Sequence, residues 1–176
     1  MSNLFQFSSR SDLDSVQNLE LFIRKCKEEL TVFGANTDWS AWIWPKVANF
    51  TKLGSSSRSH SVDDRMGEPF ISFAKAYFRY QQGHNPTGTK NETKALKVLE
   101  FVLSEQSPSP DISELDTTVL DRAAIVAREH YSGAAYQCGR ELVYRLKINF
   151  SHACVLIAAR ARCILFKISS PLAFQT

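Results

Sequence analysis

The side chains best suited to catalysis or metal binding are scattered along the chain. No histidine is followed by a second histidine three to five residues later, as in zinc sites, and the cysteines form no Cys-x-x-Cys pair. Glycine-rich phosphate loops, HExxH and GxSxG are also absent. The residues concerned are His60, His84, His130, His152, Cys26, Cys138, Cys154 and Cys163. The sequence therefore predicts no metal, no cofactor and no complete active site, with the cysteines as buried free thiols in a reducing cytoplasm.

Positive charge is concentrated in one segment, although the whole chain is only mildly basic. The formal net charge is +3, from 21 Lys and Arg against 18 Asp and Glu. Between positions 75 and 97 the only acidic residue is Glu92, and the cations are Lys75, Arg79, Lys90, Lys94 and Lys97. The hydroxyls of Thr87 and Thr89, with main-chain N–H groups at the start of a helix, add further donors. This segment is therefore predicted to bind phosphate.

A second basic segment follows Ser132, which can cap a helix. It contains Arg140, Arg145 and Lys147, and Tyr136 and Gln137 stand about one turn before Arg140. Arg140 and Gln137 would reach phosphates or base edges if this helix entered a groove of DNA. The alternative is that these cations simply solvate the outer faces of a helical bundle.

The first part of the chain is expected to be a helical and aromatic extension. Apolar spacing predicts an amphipathic helix from Ser15 to Phe33, with Gly34 as its C-terminal cap. Three tryptophans between Trp39 and Trp44 have the bulk to close a small core. The polar, serine-rich stretch from Thr51 to Gly67 predicts a flexible linker and a domain boundary.

The region 67–150 predicts a compact bundle of four short helices, so the fold class is expected to be all-α. The first helix follows Pro69, the second runs from Lys90 to Glu105, and Asp116 and Ser132 cap the third and fourth. Apolar residues recur at helical spacing in each helix, and nothing in this half alternates with period two. Brief loops connect the helices, as in a bundle.

Four segments of this region share their order and spacing with a known family. They are FISFAKAYFRY at 70–80, NPTGTK at 85–90 with TKALKVLE at 93–100, DISELDTTVL at 111–120, and YSGAAYQCGREL at 131–142. Together they resemble the core-binding, SAM-like domain of the tyrosine recombinases, the family of phage and mobile-element integrases. The resemblance covers about half of the chain.

The resemblance implies that the chain binds double-stranded DNA in site-specific integration and recombination, and it allows self-association on the DNA. Contacts would be mostly to phosphates, so affinity should fall steeply with salt. The implied DNA-binding residues are Lys75, Arg79, Thr87, Thr89, Lys90, Lys94, Lys97, Tyr136, Gln137, Arg140 and Arg145.

The catalytic residues of that family have no counterpart in the sequence. The family uses an Arg, Lys and His-x-x-Arg set and a Tyr nucleophile, yet no His here has Arg at the third following position. The tyrosines all fall on helices predicted for the binding domain; they are Tyr77, Tyr80, Tyr131, Tyr136 and Tyr144. We therefore assign no catalytic residue and expect no strand cleavage by this chain alone.

The last segment, 151–176, departs from the family pattern. It has no acidic residue and is apolar almost all round. Its cations Arg160, Arg162 and Lys167 argue against a membrane span. A truncated or frame-shifted integrase gene would explain this tail, and so would a short protein that ends in a partner-binding helix.

The expected organisation is an extension and linker at 1–66, a core-binding domain at 67–150 and an atypical tail at 151–176. The N-terminus lacks a signal-peptide pattern, which predicts a cytoplasmic location. The alternative function is a helical protein-interaction module, with the tryptophan cluster and the tail as contact surfaces.

Overall fold

The computed structural model describes residues 10, 12–31, 37–45, 47–56, 58–84 and 90–131. This part is mostly helical, as expected. Its elements are α1 (Ser15–Glu29), β1 (Ile43–Trp44), β2 (Ala48–Asn49), α2 (Phe70–His84), α3 (Lys90–Gln106) and α4 (Thr117–His130), with 3-10 turns at Val62–Asp64 and Ile112–Glu114. The helix predicted to follow Ser132, which would complete the bundle, lies outside the described residues, as does the tail.

Helix α1 begins at a capping box and ends earlier than its apolar pattern predicts. The Asp14 carboxylate accepts from the Gln17 N–H at 2.8 Å, and the Gln17 side chain accepts from the Asp14 N–H at 3.1 Å. The helix was predicted to reach Phe33, but it ends at Glu29 because Leu30 takes up an extended conformation. The Leu30 carbonyl accepts a hydrogen bond from Arg79 instead of continuing the helical pattern.

The tryptophan segment forms a small antiparallel hairpin, which corrects the all-α expectation. Ile43 pairs with Asn49 and Trp44 with Ala48, and the Phe50 N–H donates to the Trp42 carbonyl at 2.8 Å. Aromatic and β-branched residues suit a short pleated pair, and Pro45 stands just after β1, where it needs no donor in the ladder. Trp44 is buried, so the prediction that this cluster serves packing is confirmed.

The stretch 51–67, predicted to be a flexible linker, is a braced loop in the structure. The Lys52 N–H donates to the Asp64 carbonyl at 2.7 Å, and the Met66 N–H donates to the Phe50 carbonyl at 3.0 Å. Thr51 and Met66 at its two ends are buried. These contacts tie the loop back to the hairpin, a pairing between distant residues that serine content alone does not reveal.

Helix α2 occupies the centre of the described fold and contributes to two hydrophobic clusters, a small one shared with α1 and a larger one that also reaches the hairpin, α3 and α4. The larger cluster includes Leu19 of α1, Trp44 of the hairpin, Leu99 of α3 and Val126 of α4. An edge-to-face series of rings crosses position 66, with Phe50 lying 5.1 Å from Trp44 and 5.6 Å from Phe78 between ring centroids. Packing is therefore continuous across the predicted boundary, and the division into two domains stays a prediction.

Helices α3 and α4 run antiparallel beside each other. Near one end, Arg122 of α4 forms an ion pair with Glu105 of α3 at 2.9 Å. Near the other end, Lys94 of α3 lies against Tyr131, which caps the end of α4. At the start of α4 the Asp116 carboxylate accepts from the Val119 N–H at 2.8 Å, so the predicted cap is confirmed. In the described ranges, no helix combines the length and apolar character needed to cross a membrane.

Candidate nucleic-acid interface

Lys75, predicted to bind phosphate, lies in the interior. Its side chain is only 2% exposed, and its Nζ donates to the Trp39 carbonyl at 2.6 Å. The same ammonium lies 5.8 Å from the Trp39 ring centroid and 5.9 Å from that of Phe50. Burial lowers the pKa of Lys75 to about 8, with the nearby charge of Arg65 acting in the same direction. This lysine joins the extension to α2 and is not placed to meet DNA.

Arg79 is also buried, with 3% of its surface exposed, so it does not lie on a surface that DNA could contact. Its Nη1 donates to the carbonyls of Lys27 and Leu30 at 2.6 and 2.8 Å, and its Nη2 donates to the Thr37 carbonyl at 2.9 Å. A longer bond of 3.4 Å reaches the Cys26 carbonyl. The guanidinium therefore satisfies carbonyls at the end of α1, which have no partner within the helix.

The sequence did contain a signal for both burials. Residues 70–80 of α2 are buried at every position except Ser72, so the helix is enclosed on all sides. A helix that is apolar almost all round usually lies in a core. Lys75 and Arg79, four residues apart, share one side of such a helix. From the density of charge along the chain alone, both residues were predicted to be surface cations.

Lys94 lies at the surface, where α3 meets the end of α4. It is half-buried, and its Nζ lies 5.1 Å from the centroid of the Tyr131 ring, a cation–π contact. The loop predicted to bind phosphate comes just before Lys90, the first residue of α3, and the predicted DNA-contacting helix begins just after Tyr131. Tyr131 was not among the predicted site residues, because its meeting with Lys94 is a tertiary contact.

Lys97 lies one turn further along α3 and is half-buried. Its Nζ donates to the Thr51 hydroxyl at 2.7 Å, and burial lowers its pKa. Thr51 is fully buried, while the next residue, Lys52, is exposed. Lys97 therefore links α3 to the braced loop.

The last turn of α4 adds two basic side chains to the same end of the helix pair. Arg128 and His130 are exposed there, beside the exposed Glu129. The His130 ring lies 6.1 Å from that of Phe101 on α3. Basic residues near the C-terminal end of a helix also interact favourably with the helix dipole, so these two side chains stabilise α4 whether or not a ligand binds.

The ion pairs of the described residues do not include the cations of this region. Among the residues that the structure describes, the three ion pairs are Arg10–Asp12, Arg65–Glu68 and Arg122–Glu105. None of them involves Lys52, Lys94 or Lys97. The remaining predicted site residues are not covered: Lys90 begins α3 but its side chain is outside the described part, as are Thr87, Thr89, Tyr136, Gln137, Arg140 and Arg145.

The described ranges contain little that suggests catalysis. No group of His, Cys, Asp and Glu in them could hold a metal ion. Cys26 is a buried free thiol, as predicted, and burial raises its pKa. A shallow pocket lined by Ala41, Trp42, Ile43 and His60 brings only one titratable side chain to its wall. Reactive groups do not converge at this pocket.

Comparison with family models, with curated proteins and with solved structures finds no match for this chain. The resemblance to tyrosine recombinases therefore remains a prediction from the four sequence segments.

Proposed function

We propose that this chain binds double-stranded DNA through phosphate contacts, as the core-binding part of a tyrosine-type site-specific integrase. The contact between Lys94 and Tyr131 is the observation that carries the proposal. It brings the start of α3 and the end of α4 together. The two segments predicted to contact DNA therefore join the described fold at the same end of the helix pair. Two segments that are separate in sequence would then contact the same DNA duplex.

The charges at this end support the same function. Lys94 and Arg128 are cations without an ion-pair partner among the described residues. Lysine and arginine near a duplex release counterions from the phosphates, which favours binding at low salt. The proposed contacts carry no sequence information by themselves, so they position the protein on DNA and do not select a site.

The burial of Lys75 and Arg79 changes the proposed footprint. Phosphate contacts are assigned to Lys90 and Lys94 on α3 and to the predicted helix with Arg140 and Arg145. Lys97 contributes less, because it already donates to Thr51. Each phosphate contact contributes a slope of about −0.9 to the dependence of log affinity on log salt. The salt slope should accordingly be smaller in magnitude than the slope expected if all of the predicted DNA-binding residues contacted phosphates.

Salt titration of DNA binding tests the proposal. Fluorescence anisotropy with a labelled duplex should show affinity falling linearly on logarithmic axes as salt rises. The Lys94→Gln variant should weaken binding to unrelated duplexes equally and reduce the slope by about 1. An Arg24→Gln variant provides the matched control, since Arg24 is exposed on α1 and carries the same charge.

The folding of each variant is checked by its urea midpoint before binding is compared. Absence of binding by the wild-type chain, or binding that does not respond to salt, would contradict the proposed function. Equal effects of the Lys94 and Arg24 variants would show that net charge, and not this surface, governs the interaction.

A further inference from the structure

We infer that the hydrogen bond between Lys97 and Thr51 is an inhibitory contact, which keeps one phosphate ligand of α3 away from DNA. The inference rests on the proposed function and gives the segment before α2 a regulatory role in it. Release of Lys97 from Thr51 would strengthen DNA binding without the addition of any new cation.

Lys97 shares the outer face of α3 with Lys94. The two residues are three positions apart, which makes them neighbours on the surface of a helix. Both are half-buried, whereas Leu96, Val98 and Leu99 between and beside them are buried in the core. A lysine ammonium stands on a flexible four-carbon stem. From this position on α3, the Lys97 ammonium can therefore turn outward to the surface that carries Lys94.

Thr51 is a fixed acceptor for the same ammonium. It is fully buried, and its N–H donates to Asn49 Oδ1 at 3.0 Å. Its backbone also pairs with that of Arg65 in an antiparallel bridge. The Lys97 Nζ donates to the Thr51 hydroxyl at 2.7 Å. Because the backbone of Thr51 is held by these contacts, the hydrogen bond draws Lys97 inward and does not bring Thr51 to the surface.

The bond to Thr51 competes with a phosphate for the Lys97 ammonium. Burial lowers the pKa of Lys97, because the ammonium loses part of its hydration beside the buried hydroxyl. None of the three ion pairs among the described residues includes Lys97, so its charge has only a neutral acceptor there. A phosphate oxygen is an ionised acceptor and forms the stronger hydrogen bond. Removal of the Thr51 hydroxyl should therefore shift the ammonium toward the outer position, where it can contact DNA.

The Thr51→Val variant of the full chain tests the inference, because valine is also β-branched but has no hydroxyl. Anisotropy titrations with a labelled duplex at rising salt should give a slope larger in magnitude by about 1, since one further phosphate is contacted. The Thr51→Ser variant keeps the hydroxyl and is the matched control, so it should retain the wild-type slope. In the Thr51→Val/Lys97→Gln variant the gain should disappear, because the released ammonium is missing.

The Lys97→Gln variant tests the contact without altering the buried threonine. It should change the slope by much less than the value of about 1 expected for Lys94→Gln, because the wild-type Lys97 is held at Thr51. Equal reductions by the two variants would show that Lys97 already contacts phosphate, and the inference would be overturned. This comparison decides the question if the urea midpoint shows that Thr51→Val does not fold.

The outcomes also separate the inference from the proposed function. If Thr51→Val folds with the wild-type urea midpoint and gives the wild-type slope, while Lys94→Gln reduces it, the inference is overturned and the proposed function stands. If the wild-type chain shows no salt-dependent binding, the proposed function fails and the inference fails with it.

Discussion

The Arg79 guanidinium lies 5.0 Å from the centroid of the Trp39 ring. This contact joins the central helix α2 to the segment before the hairpin, and the same guanidinium donates to the Leu30 and Thr37 carbonyls. An arginine can stack on an aromatic face and use its planar fork of donors at the same time, which lysine cannot do. Arg79 is therefore expected to stabilise the fold.

Replacing Arg79 tests this role. The Arg79→Met variant should lose about 3 kcal/mol or more of unfolding free energy, because buried carbonyls lose their donors. Arg79→Lys should recover only part of the loss, since one ammonium cannot reach all of the carbonyls. Urea unfolding measures both variants. A midpoint for Arg79→Met equal to that of the wild type would contradict the structural role.

Lys75 should make stability depend on pH in alkaline solution. Its pKa is about 8 in the folded chain and 10.5 when unperturbed. Between these values the folded chain releases the proton while the unfolded chain keeps it, so the unfolded state binds more protons. Stability should therefore rise with pH across this window, by at most about 1.4 kcal/mol per pH unit. Below about pH 8 this contribution should be constant.

The Lys75→Met variant isolates the effect from other titrating groups. Urea unfolding of both proteins at several pH values gives the difference in unfolding free energy. This difference should move in favour of the wild type between pH 8 and 10.5. A difference that does not vary with pH would show that Lys75 keeps an ordinary pKa.

The residues on both sides of position 66 should unfold together. Tryptophan fluorescence reports on positions 39–44, whereas far-ultraviolet circular dichroism reports mainly on the helices. The ring series through Phe50 predicts coincident transitions by the two probes. The Phe50→Ala variant should lose about 3–5 kcal/mol of unfolding free energy, and both probes should report the same loss. A separate fluorescence transition at lower denaturant would instead favour an independent extension.

Gly67 should not tolerate a side chain. A Cβ at this position would lie 2.9 Å from Pro110 Cδ and 3.0 Å from Pro110 Cγ. The proline ring is stiff, so Gly67→Ala should cost about 1–3 kcal/mol through overpacking. The Gly67→Ala/Pro110→Ala double variant should lose less than the sum of the two single variants. Thermal or urea unfolding of the three variants checks this, and strict additivity would exclude the clash.

Much of the helical fold could be predicted because its signals are local. The helices that begin near Phe70 and Lys90 follow from apolar spacing, and the cap at Asp116 follows from residue type. The hairpin was missed because two residues in each strand are too few to establish a periodicity. The loop after Thr51 was predicted to be a linker because its bracing joins distant residues, such as Lys52 and Asp64.

The candidate site was harder to predict than the helices. Charge density along the chain assigned Lys94, Lys75 and Arg79 alike to DNA binding, and the structure buries the last two. That distinction needed the pattern of residues 70–80, which is apolar almost all round and is typical of a helix at the centre of a fold. The bond between Lys97 and Thr51 could not be predicted either, because it joins residues that are far apart in sequence.

The carbonyls bound by Arg79 make one side chain a shared anchor for two separate parts of the chain. Leu30, at the end of α1, and Thr37, before the tryptophan segment, accept from the same guanidinium. Neither residue can move away from α2 without breaking a bond to the group that also holds the other. The end of α1 and the start of the tryptophan segment are therefore fixed relative to each other through a third element.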